Sequence, residues 1–191
     1  MTEILLKDFP LLPQLDNEKH PYGSCNMTCV AMCLRFLGKS RSPAYAAKYP
    51  QLEDELQQRT EDNGWDRHDP QAMKRVAELY GVKDELLIVF GKDAIATAIT
   101  KTIAHLKAGL PAITHTYLTQ SGHIVCLSGV RLDSAGNPVQ WHITDPYGEF
   151  YPDGYEKNYG GDPNLGKYWL SHSTFTRLIL ADGQYWVHLI K

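Results

Sequence analysis

The period at which apolar residues recur changes once along this chain, near residue 110, and that change limits the folds open to it. Up to that point apolar residues return every three or four positions, as on the buried stripe of a helix; beyond it they follow the shorter period of strands. Residues 25–37, "CNMTCVAMCLRFL", form the first expected helix, with Gly38 as its stop. "PAYAAKYPQLEDELQQRT" suggests a short helical stretch. "DPQAMKRVAELYGV" places Asp69 at an N-cap and Pro70 at the first helical position, and stops at Gly81. "KDAIATAITKTIAHLKAGLP" is a longer amphipathic helix closed by Gly109 and Pro111. "LPAITHTYL", "GHIVCLSGVRL", "PVQWHITD" and "GQYWVHLIK" then read as strands joined by turns such as "SAGNP". Helices first and antiparallel strands second make an α+β fold.

Two stretches resist either period. The arm ending in "PQLDNEKHPYGS" reads as a loop by its Pro, Asp, Asn and Gly content. "PYGEFYPDGYEKNYGGDPNLGKYW" reads as a Gly- and Tyr-rich loop too polar for the core, and long loops in compact domains usually serve function. No repeat, low-complexity tract or linker divides the 191 residues, so one domain over 1–191 is expected.

Composition narrows the partners. With 43% hydrophobic and 21% charged residues and a net charge of -3, the chain carries no basic surplus to hold nucleic acid or anionic lipid. "MTEILLKDFPLLPQ" lacks the basic and apolar regions of a secretory signal, and no apolar run reaches the length of a membrane span. The expected location is the cytoplasm, unless release depends on another protein. Cys25, Cys29 and Cys33 recur every fourth residue on one expected helix, where bridging geometry is poor, and the fourth cysteine is Cys126. Reduced thiols are expected, with Cys29 and Cys33 in the core. Neither zinc-finger spacing nor "HExxH" occurs, so no metal or other cofactor is expected.

One cysteine stands apart. In "YGSCNMTCVAMCL", Cys25 lies between a Gly-Ser turn and the first turn of a helix, where the helix end stabilises a thiolate. A nucleophile needs a base, and the base needs an orienting partner. His123 follows "QSG" and begins an apolar strand, and Asp145 ends the next strand before a Pro-Gly turn. If those strands are hairpin neighbours, the start of one lies beside the end of the other, which sets Asp145 next to His123. His115 and His142, on neighbouring expected strands, compete with His123 for the role of base. Gln14, in the preceding loop, has a side-chain amide able to join the Cys25 N–H in holding an oxyanion. Tyr22, Tyr147, Tyr151 and Tyr155 are expected to wall a substrate groove, with Trp65 closing another side.

Taken together, "PQLDN", "YGSCNMTCVAMCLRFLG", "LKAGLPAITH", "SGHIVCLSGV" and "HITDPYG" resemble the papain-like cysteine peptidases related to the bacteriocin-processing, double-glycine leader peptidases. The resemblance covers about residues 13–150, and the helix-then-strand tail "STFTRLILADGQYWVHLI" also fits. It implies a papain-like fold with a helical part packed on an antiparallel sheet. It further implies Cys25 as nucleophile, His123 as base, Asp145 as its orienter and Gln14 as oxyanion residue. Relatives usually continue the cysteine with Gly-Pro, whereas Asn26 and Met27 follow here, and the close backbone approach that glycine permits is lost.

The reaction so implied is attack on a carbonyl, an acyl-enzyme, and release to water. With no transporter domain in the chain, a lysin-type enzyme cutting stem or cross-bridge peptides of peptidoglycan is the expected form, released to the wall by a separate pore if it comes from a phage. Intracellular peptide processing and γ-glutamyl transfer by the same apparatus are the enzymatic alternatives. An inactive relative that binds peptides is the alternative outside catalysis.

Overall fold

The computed structural model describes residues 1–151, 155 and 163–191. Along the chain lie β1 (Thr2–Leu5), α1 (Cys25–Phe36), α2 (Pro43–Ala46), α3 (Leu52–Asp62), α4 (Pro70–Glu78), β2 (Asp84–Phe90) and α5 (Lys92–Lys107). They are followed by β3 (Ala112–Thr116), β4 (His123–Leu132), β5 (Pro138–Thr144), β6 (Lys167–Ser171), α6 (His172–Ile179) and β7 (Gln184–Ile190). The seven strands make one sheet in the order β2-β7-β3-β4-β5-β6, antiparallel throughout, and β1 pairs with β4.

Strand β4 organises the molecule. Its first half pairs with β3 on one side, and β5 runs along the other from Cys126 onward. Beyond the reach of β3, residues 129–132 take β1 as their partner. The close approach needs Gly129, because a Cβ there would lie 2.6 Å from the Ile4 carbonyl oxygen.

Helix α1 lies against β4 on one side and against α3 and α4 on the other. That double cover explains why every residue from Asn26 to Leu34 is buried. Cys29 and Cys33 sit in this core as their four-residue spacing implies, and all four thiols are free. Cys29 donates to the Ile124 carbonyl (3.3 Å), and the Cys33 and Cys126 sulfurs are 3.9 Å apart. On the other flank Trp141 of β5 stacks on Phe175 of α6 with ring centroids 4.9 Å apart, a contact worth about 0.5–1.5 kcal/mol beyond area burial.

The elements depart from the sequence reading in four places. Residues 2–5 of the supposed loop arm are β1, an edge strand too short to show a pattern. "DELLIVF" is β2, unassigned by period because both of its faces are apolar: Leu87 and Val89 pack on the core while Ile88 and Phe90 are exposed. The helical stretch over 43–60 is interrupted, giving α2 and α3. The Tyr-rich loop does contribute to the core, since "KYWLS" is β6 and Tyr168 is buried; residues 152–154 and 156–162 of that loop lie outside the described residues. The Asp69 cap and Pro70 start of α4 are as read, with Gln71 N–H donating to the Asp69 carboxylate at 2.8 Å.

Candidate active site

Cys25 is the first residue of α1, and its surroundings fix it there. Asn17, buried in the loop before the helix, donates from Nδ2 to Ser24 Oγ (2.7 Å) and Thr28 Oγ1 (2.9 Å), tying the preceding turn to the first helical turn. Where relatives carry Gly-Pro, Asn26 folds its own side chain back. Its Oδ1 accepts from the Met27 N–H (2.8 Å), satisfying one of the free donors at the helix start, and its Nδ2 donates to the Arg67 carbonyl (2.7 Å). The departure from glycine therefore adds a tether between the nucleophile helix and the loop before α4.

His123 begins β4, directly after Gly122. Gly122 has a left-handed φ of 85°, and a Cβ there would stand 2.4 Å from His115 Nε2, so both backbone and space demand glycine. Because β4 and β5 are antiparallel neighbours, Asp145 arrives one residue past β5 beside the start of β4. His123 Nε2 donates to Asp145 Oδ1 at 2.7 Å, both side chains being buried. That leaves Nδ1 as the imidazole nitrogen free to act on the Cys25 thiol, whose pKa this ring lowers.

Asp145 is held from all sides. Oδ1 also accepts from the Tyr147 N–H (2.8 Å), and Oδ2 accepts from the hydroxyls of Tyr168 (2.9 Å) and Tyr155. Its own N–H donates to the Gly166 carbonyl (2.7 Å), and Gly166 sits so close that a Cβ would lie 2.4 Å from the Asp145 oxygen. Tyr147 and Tyr155 stand edge-on to the His123 ring, with centroids 6.0 and 5.9 Å away.

These contacts set the electrostatics. Burial alone would raise the Cys25 thiol, but the hydrogen bond and charge of His123, with help from the backbone of Ile124, outweigh it and leave the thiol below its ordinary pKa. Burial alone would lower His123, but the Asp145 carboxylate, through charge and hydrogen bond, and then Cys25 raise it to about 10. The opposite shifts favour a thiolate–imidazolium pair. Burial pushes the Cys29 thiol up to about 12 and holds Cys33 and Cys126 well above the usual thiol range.

The competing histidines have other company. His115 stacks on Trp186 (5.4 Å) and is held below its ordinary pKa by burial. His142 Nδ1 is 2.7 Å from Ser128 Oγ, and burial lowers it to about 4. A second His–Asp pair, His188 Nδ1 to Asp84 Oδ2 at 2.6 Å, joins β7 to the start of β2 inside the core, a contact that strand pairing creates and no local motif announces.

Gln14 is buried, and its loop docks on the turn after Asp145 through a Gln14 N–H to Pro146 carbonyl bond (2.8 Å). Its Nε2 donates to the Pro21 carbonyl (2.9 Å). A cavity of about 440 Å³ opens beside Cys25 and His123, lined among others by Gly23, Asn26, Arg67, His68, His115 and Trp186. Of the tyrosines expected to wall a groove, Tyr147 and Tyr155 stand against His123, and none of the four lines this cavity. Tyr22 is 71% exposed, Tyr147 packs on His123, and Tyr151 lines a separate cavity with Trp169 and Arg177. Trp65 packs against the core under Arg75, while its neighbours Arg67 and His68 reach the cavity. Arg67 carries no sequence signal of its own; the tether from Asn26 to its carbonyl and its own bond to the Gly23 carbonyl bring it to the site. Among the described residues no group of three or more His, Cys, Asp or Glu gathers as a metal site, and no helix is long and apolar enough to cross a membrane.

Comparison with known proteins bears on the family and the fold. The profile of the family described as "Peptidase_C39 like family" matches residues 6–174. No curated protein matches the chain. Among solved structures, UfSP from C. elegans superposes with a TM-score of 0.62 at 13% identity, covering all of this chain and 34% of that one, so this chain spans about a third of its length. The Pseudomonas avirulence protein AvrPphB gives a TM-score of 0.43 at 14% identity over 97% of this chain and 99% of that one.

Proposed function

Because this chain belongs to the Peptidase_C39 like family and is a cysteine peptidase of papain-like α+β fold, we propose that it cuts peptide bonds with Cys25 as nucleophile, His123 as acid–base and Asp145 as the group that orients His123. One observation carries the assignment: the thiol at the start of α1 shares an imidazole with a four-fold hydrogen-bonded carboxylate, and the thiol and imidazole pKa values move in opposite directions. In the first step the Cys25 thiolate forms a C–S bond to the scissile carbonyl carbon, whose π electrons pass to oxygen. Collapse breaks the C–N bond while the His123 imidazolium gives its proton to the leaving amine. Water then attacks the thioester, His123 takes its proton, and the thiolate departs.

The oxyanion is assigned to the Cys25 N–H and the Gln14 amide. One of the two Gln14 Nε2 protons is engaged by Pro21, and the other is the donor this role requires. Peptidoglycan stem or cross-bridge peptides are the substrate we assign, on the resemblance to lysin-type enzymes. Incubation with purified peptidoglycan tests it: new amine ends without new reducing sugars, lost in Cys25→Ala, are expected. Reducing ends would contradict a thiol mechanism, and turnover of soluble peptides alone would move the substrate to intracellular peptides.

A further inference from the structure

The cavity beside Cys25 carries a charge that the reaction steps above do not use. Arg67 lines it, half-buried, and takes part in none of the ion pairs among the described residues. Its Nη1 donates to the Gly23 carbonyl (2.5 Å), two residues before Cys25. A Cβ on Gly23 would lie 3.0 Å from Nη1, so glycine there lets the guanidinium lie against the backbone. The loop is held from the other side by Asn26, whose Nδ2 bonds the Arg67 carbonyl. Among the described residues no Asp or Glu lines the cavity; its other polar groups include Ser121, Gln184, His68 and His115, and burial holds His115 toward its neutral form. A guanidinium fixed in a concave wall, with donors to spare and no carboxylate partner among the described residues, is a carboxylate receptor by shape and charge.

We propose that Arg67 makes this cavity an acidic subsite, binding a carboxylate of the substrate close to the scissile carbonyl. The proposal rests on Cys25 being the nucleophile, and the test separates the two. Alkylation of Cys25 by iodoacetate and by iodoacetamide forms the same S–C bond with loss of iodide, and the reagents differ in charge. The ratio of their rates, read at Cys25 by peptide mapping, should fall at least about threefold in Arg67→Gln, as expected for a unit charge within a few ångström of the reagent, and be largely retained in Arg67→Lys. If the Gln variant fails to fold, the unmodified protein still decides. N-acetylglutamate α-amide, with a side-chain carboxylate, or N-acetylglutamine, with an α-carboxylate, should protect Cys25 from iodoacetamide where neutral N-acetylglutamine amide does not; whichever protects identifies the carboxylate recognised. An unchanged ratio in Arg67→Gln, or equal protection by charged and neutral compounds, overturns the acidic subsite while leaving the nucleophile intact. If Cys25 is not alkylated ahead of the other thiols, the peptidase assignment and this inference fall together.

Discussion

At the scale of single residues, the site depends on how three side chains share protons. Cys25→Ala should abolish turnover and leave the fold intact, since its role is chemical. His123→Ala should cost at least about 10²-fold in kcat, the usual worth of acid–base transfer, and Asp145→Ala less, because it orients the ring and steadies its charge. Gln14→Ala should lower kcat without moving the pH limits, since an amide does not titrate. The pH profile follows from the two shifts. Activity should rise as Cys25 ionises below the ordinary thiol range and fall as His123 loses its proton near pH 10, leaving a plateau around neutrality. The stability linkage has a definite sign: His123 binds its proton more tightly folded than unfolded. Its contribution is thus fully present below about pH 6.5, the unfolded value, and is lost as pH rises toward 10. Chemical denaturation between those pH values should show that loss in the wild type, and His123→Ala should flatten it. Tyr168→Phe removes one donor from a buried carboxylate and should cost about 1–3 kcal/mol of stability, with a smaller loss of kcat than Asp145→Ala.

At the scale of elements, two glycines on β4 and its approach make contrasting predictions. Gly122→Ala forces a side chain into a left-handed backbone and against the His115 ring at the residue that feeds His123 into the strand, so kcat and stability should fall together. Gly129→Ala pushes β1 away at the far end of β4; the melting temperature should drop while the Cys25 pKa, measured by alkylation rate against pH, stays put. The helix-start cysteine, the strand-start histidine and the strand-end aspartate were legible in the sequence because helix onset, strand period and hairpin adjacency are local rules. Strand β2 was not, since a short run apolar on both faces has no period to read. Nor was Arg67, whose place at the cavity is set by bonds to Asn26 and Gly23, 41 and 44 residues away along the chain. Tyr168 was hidden for a third reason: its hydroxyl is satisfied by Asp145, so a residue in a polar loop by composition is core by contact.

At the scale of the whole molecule, α1 joins the helical half to the sheet, and the core runs without a break from Leu6 through α1 to β7. We expect one cooperative unit, so tryptophan fluorescence and far-ultraviolet circular dichroism should give coincident unfolding midpoints; separate midpoints would indicate two domains. The same architecture sorts the thiols. Three are sealed in the shared core with raised pKa values, and one sits at the edge of a cavity with a lowered one. The most direct test of the central claim is therefore the rate of iodoacetamide alkylation of each cysteine in the native protein as a function of pH, in wild type and in His123→Ala. Cys25 alone should react at neutral pH, with an apparent pKa below that of an ordinary thiol that moves upward when His123 is removed. A Cys25 that titrates at or above the ordinary value, or whose titration is the same with and without His123, would contradict it.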